Sequence, residues 1–363
     1  MQNEDLRFMR RALEVARRGE GRVHPNPLVG AVLVKNGRVL SEGAHERFGG
    51  PHAEVNAFRR IKKIPSGTTL YLTLEPCDHF GKTPPCTEAI LKSGVHKVVV
   101  AMKDPDPRVA GRGYKKLKKY GVFVKMGVLE KEARFMNRHY SHWIKNGTPY
   151  VTVKVGQSLD GKIATRTGQS RWITGDAARR RAHELRRQSD AVLVGVNTVL
   201  KDNPLLTVRL PGRPFQPLKV VLDALLKTPP RANLLSKKSP GSTLIFTAAR
   251  AASRAKRYGD RAKVVVVSET KTGRLDWRAI LRELGRRGVT SLLVEGGGEV
   301  IGSLFSEGRV QEVYFFTAPR VIGGLGAVGS VGGQGVSDLR GAASFKHWEA
   351  ERVGNDLLFH GIL

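Results

Sequence analysis

A chain of 363 residues with only two cysteines has no disulfide framework to build on. Both cysteines directly follow a proline, in Glu75-Pro76-Cys77 and in Pro84-Pro85-Cys86. A third stretch, Pro51-His52-Ala53-Glu54, adds an imidazole and a carboxylate. These three pieces constrain the fold more than any other feature, because a single tetrahedral zinc ion would draw them all to one point. Zinc takes nitrogen and thiolate ligands, and a catalytic zinc keeps three protein ligands with one position open. His52, Cys77 and Cys86 are the candidate ligands. Water at the open position is activated near neutral pH. Glu54, two residues from His52, is placed to carry that water's proton to a leaving amine. A structural zinc closed by a fourth ligand stays open as an alternative, with His79 as its candidate.

The wider composition narrows the class. Apolar residues make up 40% of the chain, and no apolar run approaches the roughly 20 residues that cross a bilayer. The start, Met1-Gln2-Asn3-Glu4-Asp5, lacks the basic-then-apolar layout of a secretory leader. Two cysteines in so long a chain suit the reducing cytoplasm, which is the expected location. The net charge of +30 is high and spread almost evenly along the chain, so no basic arm marks a nucleic-acid segment. Only 7% of residues are aromatic, too few for a base-stacking platform. A phosphorylated small molecule accounts for the basic surface equally well. A zinc deaminase acting on a base in nucleic acid, and a basic RNA-binding protein with a structural zinc, remain as alternative readings.

Residues 4–18 carry Leu6, Met9, Leu13 and Ala16 at helical spacing. His24-Pro25-Asn26-Pro27 is a rigid loop ahead of an apolar strand, and Asn26 is placed to reach into a pocket. Asn36-Gly37 signals a hairpin. His52 and Glu54 open a helix expected to run to about Lys62. Strand 69–74 delivers Cys77 just past its end, and Cys86 precedes a helix over 87–92, where a thiol is readily held as thiolate. A further strand is expected over 98–101, and helices over 111–119 and 130–142. The alternation of strands and helices argues an α/β fold with a largely parallel core. The turn-rich Lys145-Asn146-Gly147-Thr148-Pro149 places a domain boundary, giving domains 1–147 and 148–363.

The second half begins with a strand over 150–155. Further strands are expected over 191–194, 220–222, 243–246, 264–267 and 314–317. Ser291-Leu292-Leu293-Val294-Glu295-Gly296-Gly297-Gly298 reads as a strand ending in glycines, followed by a helix from about 300. Bare glycine backbone and a helix N-terminus suit a diphosphate, although a glycine run alone is also an ordinary turn. Residues 322–335 are glycine-rich and are expected to form a mobile loop.

Together these motifs resemble the bifunctional riboflavin-biosynthesis deaminase–reductase family over nearly the whole chain. On the first side the likeness rests on His24-Pro25-Asn26-Pro27-Leu28-Val29-Gly30, Pro51-His52-Ala53-Glu54, Leu74-Glu75-Pro76-Cys77 and Gly81-Lys82-Thr83-Pro84-Pro85-Cys86. The eight residues between the cysteines, long for zinc deaminases in general, are what this family shows. On the second side it rests on Lys154, Ser158-Leu159-Asp160-Gly161, Trp172-Ile173-Thr174, Thr198-Val199-Leu200, Asp202-Asn203-Pro204 and the glycine run after Glu295. The resemblance implies a cytidine-deaminase-like three-layer domain, then a dihydrofolate-reductase-like α/β domain. It implies Zn2+ and NADPH as cofactors, a phosphorylated pyrimidine as substrate and a homo-oligomer. It also implies that Ser170, Arg186, Leu206, Arg209 and Glu295 touch the second substrate. Gly156, Trp172, Thr198, Asp202, Gly297, Gly298, Glu299, Val300, Ile301, Gly302 and Ser303 would touch NADPH. On chemistry alone, Arg186 and Arg209 suit phosphate oxygens, and Glu295 suits substrate hydroxyls or ring N–H. Phe80, where the family commonly has histidine, and Ala224, where it commonly has serine, are departures.

Overall fold

The computed structural model describes residues 2–81, 84–212, 214–236 and 238–363, so the Lys82-Thr83 part of the second cysteine motif lies outside the described residues. The chain separates into two compact units, Met1–Gly147 and Thr148–Leu363. Among the described residues no helix is long and apolar enough to cross a membrane.

The first unit is built on five strands: β1 (Gly30–Lys35), β2 (Arg38–Ala44), β3 (Thr69–Leu74), β4 (Lys97–Met102) and β5 (Phe123–Met126), in the order β2-β1-β3-β4-β5. Asn36 and Gly37 both have positive φ, 51° and 70°, and turn β1 into β2. β3, β4 and β5 are parallel, with helices Cys86–Lys92 and Arg112–Lys119 between them in sequence. The largely parallel core is thus confined to these three strands, because the hairpin makes β1 antiparallel to both its neighbours.

Alternation along the strands builds three layers. Val32 and Val34 face Phe8, Met9, Ala12 and Val15 of helix Gln2–Ala16. Ala31 and Leu33 face the opposite way, toward Ala53, Ala57, Ile90 and Leu117. Gly30 lets the first helix approach, since a Cβ there would lie 2.0 Å from the Ala12 carbonyl oxygen. The single helix expected over 130–142 is two, Glu130–Met136 and Arg138–Asn146. The break is at Asn137, which is 2% exposed. Its Oδ1 accepts from Leu28 N at 2.8 Å and its Nδ2 donates to Leu28 O at 3.0 Å. That clamp fixes the loop carrying Asn26.

The second unit contains β6 (Tyr150–Ser158), β7 (Lys162–Ala164), β8 (Ala191–Gly195), β9 (Leu218–Leu222), β10 (Thr243–Ala248), β11 (Lys263–Val267), β12 (Ser291–Val294), β13 (Glu312–Ala318), β14 (Val328–Gly329), β15 (His347–Val353) and β16 (Asp356–Ile362). Nine of them form one sheet in the order β11-β10-β9-β8-β12-β6-β13-β16-β15, parallel from β11 to β13 and antiparallel beyond. Helix Trp277–Arg286 puts Trp277, Ile280 and Leu284 against one face of the sheet, with Ile301 and Leu304. Ala178, Leu185, Val199 and Tyr258 cover the other. Glycine-rich residues 322–335, expected to be mobile, have fixed partners. The amides of Ile322 and Gly323 donate to the Asp160 carboxylate at 3.0 and 2.8 Å. β14 pairs with β7, and Gly332 N donates to Gly298 O at 2.9 Å. A Cβ at Gly302 would lie 1.9 Å from Gly332 O, so only glycine admits this contact.

Candidate metal centre and second cleft

Two helix starts and one strand end make the first site. His52 caps the N-terminus of helix Ala53–Arg59, Cys77 lies three residues past β3, and Cys86 is the first residue of helix Cys86–Lys92. One ligand atom from each lies within 4.8 Å of the others. His52 Nδ1 is 3.1 Å from Cys86 Sγ and 3.6 Å from Cys77 Sγ. Tetrahedral zinc, with bonds of about 2.0 Å to nitrogen and 2.3 Å to sulfur, sets such separations near ~3.5 Å. Among the described residues His79 is not part of this group. The Cys86 thiol donates to Cys77, which lowers the Cys77 pKa and raises that of Cys86. Bound zinc would keep both as thiolates.

Glu54 is 3% exposed, and its Oε2 is buried with no hydrogen-bond partner. Burial pushes its pKa up. It lines a cavity of about 530 Å³ together with Asn26, His45, His52, Cys77 and Asp104. An orphaned carboxylate oxygen beside one imidazole and two thiols fits a zinc ion with an activated water.

The cavity also shows what the sequence did not. His45 Nδ1 lies 3.0 Å from the Pro51 carbonyl, which can only accept, so the ring proton sits on Nδ1. Nε2 then accepts from Asn26 Nδ2 at 3.0 Å. Burial lowers the His45 pKa and keeps the ring neutral. Asn26 is therefore held at the pocket wall by a residue outside every motif. Asp104 is pushed up to about 6, mainly by burial, and accepts from Tyr140 Oη at 3.3 Å. Glu75 has a different task from its neighbour Cys77: it accepts the amides of Asp104, Gly111 and Tyr114 and shapes the loop behind the pocket.

In the second unit Glu295 follows β12, and its side chain is 5% exposed. Arg186, from helix Asp176–Arg187, donates Nε to Glu295 Oε1 at 2.5 Å and Nη2 to Oε2 at 2.6 Å. Lys154 Nζ, on β6, is 3.4 Å from Oε2. Burial alone would raise the Glu295 pKa, but Arg186 and Lys154 outweigh it and hold it at about 2. The remaining Arg186 nitrogen, Nη1, donates to Thr207 O at 3.0 Å. Arg186, expected to meet phosphate, thus spends its guanidinium on the protein. Arg209 is exposed, and Nη1 makes one long contact, 3.4 Å, to Thr207 Oγ1. His183 accepts the Arg209 amide at 3.3 Å, and burial with these two arginines pushes it down to about 4.

The remaining residues divide. Ser170 Oγ donates to Asp202 Oδ1 at 3.1 Å, and Trp172 lies under the Arg179 guanidinium at 4.4 Å. A Cβ at Gly156 would meet Thr174 at 3.4 Å, and Cβ atoms at Gly296 and Gly297 would meet Thr198 Oγ1 at 3.3 and 3.5 Å. Gly297 caps helix Gly298–Ser306, so bare backbone and a hydroxyl surround its N-terminus. That arrangement fits the phosphates of a dinucleotide. Further along the helix the fit changes. Gly302 packs on Gly332, Ile301 joins the core, and Ser303 Oγ accepts from Trp277 Nε1 at 2.9 Å. Glu299 pairs with Arg274 at 2.9 Å, and Val300 packs on Gly195. Leu206 is 2% exposed and belongs to the core cluster of Leu185 and Leu358.

Residues 149–359 match the RibD C-terminal domain, and residues 2–102 match the cytidine and deoxycytidylate deaminase zinc-binding region. The riboflavin biosynthesis protein RibD of Bacillus amyloliquefaciens is 43% identical over 352 residues, covering 96% of this chain and 94% of its own. The chain belongs to the RibD family. The RibD of Escherichia coli K12 is 38% identical, with 98% of this chain and 99% of its own covered. The solved RibD of Acinetobacter baumannii superposes with a TM-score of 0.88 at 33% identity, covering 100% and 99%. A Thermotoga maritima structure, described as a diaminohydroxyphosphoribosylaminopyrimidine deaminase/5-amino-6-(5-phosphoribosylamino)uracil reductase, also reaches 0.88 at 37% identity, covering 99% of both chains. RibD membership makes this chain a bifunctional enzyme of riboflavin biosynthesis, with a cytidine-deaminase-like zinc unit followed by a dihydrofolate-reductase-like unit that uses NADPH.

Proposed function

We propose that the first unit hydrolyses the 2-amino group of 2,5-diamino-6-ribosylamino-4(3H)-pyrimidinone 5′-phosphate. The second unit then reduces the ribosyl side chain of that product to ribityl. The observation that carries the first step is Glu54, whose buried Oε2 has no hydrogen-bond partner and which lines the cavity with His52 and Cys77, two of the three grouped ligands His52, Cys77 and Cys86. Zinc held by these three residues supplies Lewis-acid activation of water at neutral pH. Glu54 Oε2 takes a proton from the water and passes it to the departing amine, so that water is consumed and ammonia leaves. Asn26, fixed by His45, holds the pyrimidine edge.

For the second step NADPH supplies the hydride. Two groups are candidates for the proton donor, Lys154 and Asp160. Asp160 already accepts from Ser158 and two backbone amides, which hold it strongly ionised. Lys154 Nζ, poised beside Glu295, is the proton donor in this reading. Arg209 takes the substrate phosphate, and the assembly is a homo-oligomer in the cytoplasm.

Replacing Glu54 by alanine tests the assignment. The variant is expected to retain one zinc per chain and to lose roughly 10²- to 10⁴-fold in ammonia release. Unchanged deamination would remove Glu54 from the mechanism.

A further inference from the structure

We infer that Asp78 is a positioning residue of the metal centre: its carboxylate clasps Thr87 and Lys116 and so holds the two cysteine segments together for zinc. The inference rests on the zinc reading of His52, Cys77 and Cys86. Asp78 directly follows Cys77, and Thr87 directly follows Cys86. Eight residues separate the two cysteines. Bringing the ends of such a loop together costs conformational entropy. If zinc alone closed the loop, that cost would be subtracted from its affinity. Contacts within the protein that close it beforehand leave the ion more of its binding energy.

Three contacts join the two segments. Cys86 N donates to Cys77 Sγ at 3.4 Å, and Thr87 N donates to Cys77 O at 3.2 Å. Both use main-chain donors and survive a change of side chain at position 87. The third is made by side chains alone: Thr87 Oγ1 donates to Asp78 Oδ1 at 2.7 Å. Thr87 is fully buried, so its hydroxyl depends on a partner inside the protein. The same Asp78 oxygen accepts from Lys116 Nζ at 2.7 Å. Lys116 belongs to helix Arg112–Lys119, an element outside the zinc motifs. Glu88 Oε1 lies 3.9 Å from that ammonium, too far for a hydrogen bond, so the short contact is the one to Asp78. One carboxylate oxygen thus ties together the segment after β3, the start of helix Cys86–Lys92 and helix Arg112–Lys119. Among the described residues Asp78 is outside the ligand group, so it acts on the segments that carry the thiolates and not on the ion. Partners one step behind the ligands set how well a metal is held.

The test is the zinc affinity of the full chain, measured by competition with a chromophoric chelator. Thr87→Val keeps the shape of the side chain and removes the hydroxyl. It should weaken zinc binding roughly 10- to 100-fold. Thr87→Ser restores the hydroxyl and should return the affinity to within about threefold of wild type. Lys116→Met removes the other arm of the clasp and should weaken zinc binding by a smaller factor, about 2- to 10-fold, because that ion pair is partly exposed. NADPH consumption from pre-deaminated substrate should match wild type in all three variants. Wild-type zinc affinity in Thr87→Val overturns the clasp, as does a loss that Thr87→Ser fails to recover. A loss of zinc accompanied by an equal fall in NADPH consumption overturns it too, since that marks a folding defect. A wild type that binds no zinc overturns the zinc reading itself, and the clasp with it.

Discussion

Arg186 and Glu295 form a two-point ion pair in the second unit, with contacts of 2.5 and 2.6 Å and both side chains largely buried. The pair fixes the carboxylate that faces Lys154. Arg186 thus holds the Glu295 carboxylate in place.

Breaking that pair leaves a buried carboxylate with one partner. Arg186→Ala should lower the stability of the second unit by roughly 3–5 kcal/mol. Arg186→Lys keeps a charge but loses the fork. NADPH consumption in the lysine variant should fall at least about tenfold, with ammonia release unchanged. Equal losses in both activities would show a general folding defect instead.

The same pair sets an acid limit. Glu295 is held at about 2 against an ordinary 4.5, so its folded pKa is depressed. Its contribution is fully present above pH 4.5 and is lost as pH falls from 4.5 toward 2. The span corresponds to on the order of 3 kcal/mol. Urea unfolding of wild type and Glu295→Gln should show a wild-type advantage at pH 5 that shrinks at pH 3. A constant difference would contradict the ion-pair account.

Asn137 satisfies both backbone groups of Leu28 from a buried position. Asn137→Ala leaves two main-chain groups without these partners, at a cost of about 1–3 kcal/mol. The loop bearing Asn26 loosens with it. KM for deamination should rise more than kcat falls, and NADPH consumption from pre-deaminated substrate should not change. An unaltered KM would separate Asn137 from the pocket.

The zinc centre was legible in the sequence because cysteine is scarce here and each ligand sits at a punctuated element end. Its supports were not. Nothing in residues 130–146 marks Asn137 as a break, since its reason is a backbone 109 residues away. His45 stands at the end of a hairpin with no motif around it. The contacts along residues 297–303 came from resemblance, which does not show that Ile301 turns into the core while Ser303 meets Trp277 Nε1. β15 escaped notice for another reason. Six of its seven residues are exposed, so it has no buried alternation to read. The basic charge became informative only with positions: Arg186 is held by Glu295 and a carbonyl, whereas exposed Arg209, among the described residues, makes only one long side-chain contact, to Thr207 Oγ1.

The most direct measurement follows ammonia and NADPH together on the zinc-reconstituted chain, given the diaminopyrimidinone phosphate. The account predicts ammonia with or without NADPH, and NADPH consumption that lags ammonia and never exceeds it. NADPH oxidation ahead of ammonia, or bound zinc with no ammonia at all, would contradict it.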